Sequence, residues 1–126
     1  TKIYYIGPRR ELLKLEKIVL EKTDGKVNVA FTHPECLEIF DMNVNKAIAV
    51  KKLSDMENFT LNDVIAFGDG FNDYEMLKEV KKGCIMKNAH YSLKEALPEL
   101  EIVTSNSRNG VAKKLMEIYN IKVDEE

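Results

Sequence analysis

Long apolar runs are what this sequence most plainly lacks. No stretch approaches the roughly 20 consecutive apolar residues that span a bilayer, so no membrane partner is expected. Cysteine is scarce too. Cys36 and Cys84 show no partnering pattern, which excludes a disulfide-built scaffold and leads to the expectation of a reduced, cytoplasmic protein. There is no basic stripe: 19 Lys and Arg interleave with 21 Asp and Glu, so nucleic acid is not an expected partner. Internal repeats, low-complexity segments and a signal-like opening stretch are absent as well. Against these absences, 44% apolar and 32% charged residues in a chain of 126 are enough for a core of about one domain, and exclude a disordered tail.

What is present is alternation. Residues 2–6 (KIYYI) read as a strand stopped by Gly7-Pro8. Leu12, Leu15, Ile18 and Val19 then recur at helical spacing between Arg9 and about Lys22. Residues 27–31 and 36–40 alternate as two strands joined at His33-Pro34, giving a βαβ-like opening unit. A polar loop leads to a helix over 46–57, an apolar strand over 63–67, and a helix from about Asn72 to Val80 closed by Lys81-Lys82-Gly83. A strand over 84–86 and a brief helix follow. Ser92 and Glu95 have capping-box spacing for that helix, and Pro98 ends it. A strand over 101–103 and a helix over about 110–119 complete the pattern. Strands alternating with helices imply an α/β fold with parallel pairing and right-handed crossovers.

In open parallel sheets, ligands gather beyond the carboxyl ends of the strands. The segment leaving strand 63–67 is GDGFND, Gly68 to Asp73. Asp69 lies between two glycines, which permit a tight turn and close approach of a ligand. Asp69 and Asp73 supply hard oxygens of the kind Mg²⁺ takes alongside water and phosphate. Asn72 and Asp73 are equally readable as ordinary helix caps, whereas Asp69 is too early for one. Phe71 excludes an EF-hand, and the missing Gly-Lys-Ser/Thr excludes a Walker loop. Lys46 stands at the first turn of its helix, against the dipole, either serving an anion or simply solvated. Asn88 follows strand 84–86 and can face the same crevice. His33 reads as a turn residue. His90 lacks a second ligand at zinc spacing, and neither cysteine has a neighbouring histidine to activate it.

Lys46, then GDGFND, EML and CIMKNA, resemble motifs three and four of the haloacid dehalogenase superfamily, most closely the Cof-like phosphatases. KIYYIG, VNVAF and CLEIF resemble the closing part of that group's α/β cap, and PELEIV with NGVAKKL extends the likeness to nearly the whole chain. Within the group, the similarity is greatest to phosphatases acting on pyridoxal phosphate and sugar phosphates. The resemblance implies a HAD-like (Rossmannoid) parallel sheet with helices on both faces at 41–126, preceded by the end of a cap at 1–40. It also implies a Mg²⁺-dependent phosphate monoester hydrolase for a small phosphorylated metabolite. On it, Asp69 coordinates the metal and Asp73 supports the metal site. Asn72 contacts phosphate, Lys46 pairs with phosphate and the nucleophile, and Asn88 sits near the site. Lys87 stands where that loop has glycine, and Ala47 where glycine follows the motif lysine.

The family's opening strand ends in DxDxT, whose first aspartate is the nucleophile, and no such pair occurs here. The chain, starting at Thr1, therefore resembles the second half of such an enzyme and is expected to be nearly inactive alone. A sheet lacking its central strand would leave an unpaired edge that invites self-association or a partner chain. The alternative is a non-catalytic α/β module whose GDGFND loop merely caps a helix.

Overall fold

The computed structural model describes residues 2–122. β1 (Lys2–Ile6), α1 (Arg9–Thr23), β2 (Val27–His33) and β3 (Cys36–Asp41) make the first unit. Its strands run in the order β1-β3-β2, and both pairings are antiparallel. The parallel opening unit expected from the sequence is thus corrected. Pro34 and Glu35 alone separate β2 from β3, and a two-residue link can only fold a strand back on its neighbour, as a hairpin. β1 then takes the other side of β3, reached through α1. Leu12 of α1 and Leu37 and Ile39 of β3 are buried together on the helix side. On the opposite face Lys2 bonds Glu38 at 2.9 Å, and Glu38 holds the Lys2 ammonium above the ordinary lysine range.

The second unit carries α2 (Lys46–Glu57), β4 (Ile65–Gly68), α3 (Tyr74–Glu79), β5 (Lys82–Met86), α4 (Tyr91–Ala96), β6 (Glu101–Val103) and α5 (Gly110–Ile118). Here the expected parallel sheet forms, in the order β4-β5-β6. Alternation along the strands splits its side chains between two faces. Ala66 and Ile85 meet Leu77, Val80, Leu93 and Leu97 from α3 and α4 and the residues that close them. Cys84, Met86 and Val103 pack with Phe67 on the other face, toward α5. Burial pushes the Cys84 thiol up, so it stays protonated among apolar neighbours.

Several boundaries move for identifiable reasons. Residues 61–63 form a 3-10 turn instead of starting the strand, because Asp63 Oδ2 accepts from the Thr60 N–H and hydroxyl at 2.9 and 2.8 Å. The helix expected from Asn72 is a 3-10 turn over Phe71–Asp73 followed by the short α3. Lys82 and Gly83 belong to β5 and do not stop that helix. Gly83 is needed because a Cβ there would strike the Leu77 carbonyl, so β5 can pass the end of α3 in backbone contact. α4 is capped by His90, whose Nδ1 accepts from the Ser92 N–H, and not by Ser92. At the start of α5, Gly110 lies against the Thr104 carbonyl with no space for a side chain.

Two outcomes follow for stability. Gly83→Ala should overpack the α3–β5 contact and cost about 1–3 kcal/mol, read as a lower urea midpoint at unchanged slope. The second concerns Glu101, which Lys114 and Lys82 hold below the ordinary carboxylate range from 2.6 and 3.1 Å. A lowered folded pKa stabilises above the ordinary value of 4.5 and fades as pH falls toward the folded one. Lys114, raised to about 12 by Glu101 and Glu117, loses its share only as pH climbs through that value. Urea midpoints measured below about pH 4.5 should therefore decline, and decline less in Glu101→Gln.

Candidate active site

The loop leaving β4 is organised around a carboxylate that the sequence placed in the site without revealing its task. Asp73 closes the 3-10 turn, its N–H donating to the Gly70 carbonyl at 3.0 Å. This folds the side chain back beneath the end of β4, where only 3% of it remains exposed. Its Oδ2 accepts from the Asp69 and Gly70 N–H groups at 3.0 and 3.2 Å. Its Oδ1 accepts from the Lys46 ammonium. Gly68 makes this approach feasible, since a Cβ there would lie 2.6 Å from Asp73 Cβ. The glycine expected to let a ligand close instead admits the protein's own carboxylate.

Lys46 is the first residue of α2, and Asn45 before it caps the helix by accepting the Ile48 N–H at 2.8 Å. The ammonium leaves the helix end for Asp73, which accounts for a lysine placed against the dipole. Half of the Lys46 side chain stays exposed, so the same ammonium can face an anion in solution. Asp69 is exposed, and among the described residues its carboxylate has no hydrogen-bond or ion-pair partner. Its main-chain carbonyl accepts the His90 N–H at 3.1 Å, linking the loops after β4 and β5. Asn72 is exposed and turns its Oδ1 over Gly70, where a Cβ would stand 2.7 Å away.

Four of the five residues singled out in the sequence (Lys46, Asp69, Asn72 and Asp73) therefore gather at one strand end. Asn88 stands apart, beyond β5, where its Oδ1 accepts the Asn106 N–H at 2.9 Å. Sequence reading missed Gly68 as the residue that seats Asp73, although its place at the strand end before an aspartate was a usable signal. It also missed Ser105 and Arg108, which line a cleft with Lys87, Asn88 and Thr104. No local spacing links those loops.

The magnesium ion implied by the resemblance can be tested against these donors. Among the described residues no three His, Cys, Asp or Glu side chains form a metal-holding group. Asp73 is engaged by three donors, while Asp69 keeps both oxygens free. That set fits a magnesium ion taking one carboxylate here and filling its shell with water and phosphate oxygens.

A model of the haloacid dehalogenase-like hydrolase family matches residues 1–115. The chain belongs to that family. A protein of Buchnera aphidicola is 43% identical to this haloacid dehalogenase-like chain over 110 residues, 87% of the chain and 41% of that protein. A Yersinia pseudotuberculosis protein named HMP-PP phosphatase is 38% identical over 111 residues, 88% of this chain and 41% of its own length. The chain thus spans about two fifths of the curated relatives it matches. The crystal structure of a haloacid dehalogenase-like hydrolase from Bacteroides thetaiotaomicron superposes with a TM-score of 0.79 at 32% identity, covering 93% of this chain and 43% of that one. No helix among the described residues is long and apolar enough to cross a membrane.

The two aspartates should separate on mutation. Asp73→Ala strips the acceptor from two main-chain N–H groups and from Lys46, at about 1–3 kcal/mol of unfolding free energy. Asp69→Ala removes an unpartnered surface carboxylate and should stay within about 0.5 kcal/mol. Equal losses in chemical denaturation would contradict this division.

Proposed function

We propose that this chain forms the metal- and phosphate-holding half of a phosphate monoester hydrolase, with a small phosphorylated metabolite as substrate. The observation that carries the reading is the division of labour between the aspartates. Asp73 is consumed in holding Lys46 and the loop, which leaves Asp69 and the exposed side of Lys46 facing solvent at one strand end. The family and the phosphatase name of the Yersinia relative support it. Pyridoxal phosphate and sugar phosphates are the substrates we favour within that class. In the same reading residues 1–40 close a cap and residues 41–126 belong to the catalytic core, in the cytoplasm.

The chemistry asked of the chain is electrostatic. Lys46, fixed at its tip by Asp73, presents a positive charge that binds and orients the phosphoryl oxygens. Because the ammonium is already in place, little reorganisation is needed as charge develops. Asn72, exposed on the same loop, adds amide donors. Asp69 would hold a magnesium ion, which would supply further positive charge against the phosphoryl oxygens. The attacking carboxylate comes from chain beyond these residues or from a partner. β4 has β5 on one side and no strand on the other among the described residues, and that edge is where an added strand would pair.

Phosphate release from p-nitrophenyl phosphate with magnesium tests the reading on the protein as its source makes it. Asp69→Asn and Lys46→Met should each lower kcat/KM by about a hundredfold or more. Retained activity in both overturns the assignment. For the chain by itself, added Mg²⁺ should move the amide resonances of Asp69 to Phe71, and this response should vanish in Asp69→Ala. A loop that only caps a helix gives no such response.

A further inference from the structure

Beyond the cluster around Asp73, the loops that leave β5 and β6 enclose a cleft of about 320 Å³, lined by Lys87, Asn88, Thr104, Ser105 and Arg108. Two hydrogen bonds hold its walls together. The Lys87 N–H donates to the Val103 carbonyl at 2.8 Å, and the Asn106 N–H donates to Asn88 Oδ1 at 2.9 Å. The second bond also orients the Asn88 amide. Its oxygen is committed, and its NH₂ group has no protein acceptor among the described residues. Lys94 Nζ donates to the Lys87 carbonyl at 2.6 Å and adds positive charge behind the loop.

The charge balance of this cleft runs opposite to that of the chain. The sequence carries 21 acidic against 19 basic residues, yet no acidic side chain is in the lining. Among the described residues neither Lys87 nor Arg108 has a carboxylate within ion-pair reach. Residues bearing an ammonium, a guanidinium, an amide NH₂ and two hydroxyls thus border one space, the Ser105 hydroxyl lying 3.1 Å from that of Ser107. Such a set of donors suits a tetrahedral oxyanion.

The cleft is also close to the candidate active site. Gly68 and Ile85 are partners in register, so the loops after β4 and β5 leave the sheet side by side. The His90 N–H to Asp69 carbonyl bond ties those loops together. Neighbouring strands lie about 4.8 Å apart, which puts the β5–β6 cleft roughly 5–10 Å from the Asp69 loop. A small molecule can bridge that distance.

We propose that this cleft is a second anion subsite, in which Lys87 and Arg108 bind a phosphate group at the end of the substrate remote from the one hydrolysed. The proposal rests on the phosphatase reading above and narrows it to metabolites that carry two phosphate groups. Lys87 supplies the positive charge of one wall of the cleft and Arg108 that of the other.

Titration of the chain with inorganic phosphate, without magnesium and followed by amide resonances, tests it. Acetate and chloride at matched ionic strength are the parallel arms. Phosphate should give saturable shifts at Lys87, Asn88, Ser105 and Arg108, larger than those from acetate, with none from chloride. Lys87→Gly and Arg108→Gln should each weaken phosphate binding by roughly tenfold, the size of one charge-assisted hydrogen bond, with the rest of the spectrum unchanged. Asp69→Ala should titrate like the parent, so failure of the metal reading and failure of this one are separately visible. The proposal is overturned if phosphate leaves both loops unmoved, if chloride or acetate acts equally, or if the two variants bind as the parent does.

Discussion

A carboxylate taken out of water must find donors, and the structure at the end of β4 is arranged to supply them to Asp73. Two main-chain N–H groups and one ammonium meet its two oxygens. Each donor comes with a structural consequence. The N–H groups of Asp69 and Gly70 fix the turn that lifts Asp69 clear of the protein. The ammonium of Lys46 anchors the first turn of α2 to the sheet. Gly68 exists where it does because the carboxylate needs the space of its missing side chain. Removal of this one charge would free the loop, the lysine and the helix end together.

The same arrangement explains what sequence could and could not convey. Elements with strong periodicity were legible: β1, α1, α2 and α5 stand within a residue or two of their expected limits. The pairing direction of the first sheet was recoverable from the short link at Pro34-Glu35, but alternation of strand and helix pointed the other way. α3 ends within a residue of its expected limit, but the start of β5 was misread because Lys81-Lys82-Gly83 looks like a helix stop on local chemistry alone. Gly83 answers instead to a contact with Leu77, which only the folded chain reveals. For the site, residue types and spacing singled out Lys46, Asp69, Asn72 and Asp73, and the fold gathers these four at one strand end. The inward orientation of Asp73 and the outward one of Asp69 depend on a 3-10 turn that no residue pattern announced.

The two sheets also differ in how they use their faces. In the parallel sheet, Ile85 and Cys84 are buried on opposite sides, so β5 is the centre of the core and its neighbours are half-covered. In the antiparallel sheet, Leu37 and Ile39 face α1, whereas all five residues of β1 are exposed. The first unit therefore draws its cohesion from one helix and one sheet face, and the second from layers on both sides.

Gly110 has a wider meaning. Its contact with the Thr104 carbonyl sets the spacing between β6 and α5 through main-chain atoms, and the Lys87 N–H to Val103 carbonyl bond does the same between β5 and β6. The width of the opening at this end of the sheet is thus dictated by backbone, while the side chains at 87 and 108 hang from it with little packing of their own. Exchanging them carries almost no folding penalty. The chemistry displayed at this rim can therefore change while the scaffold beneath it stands still.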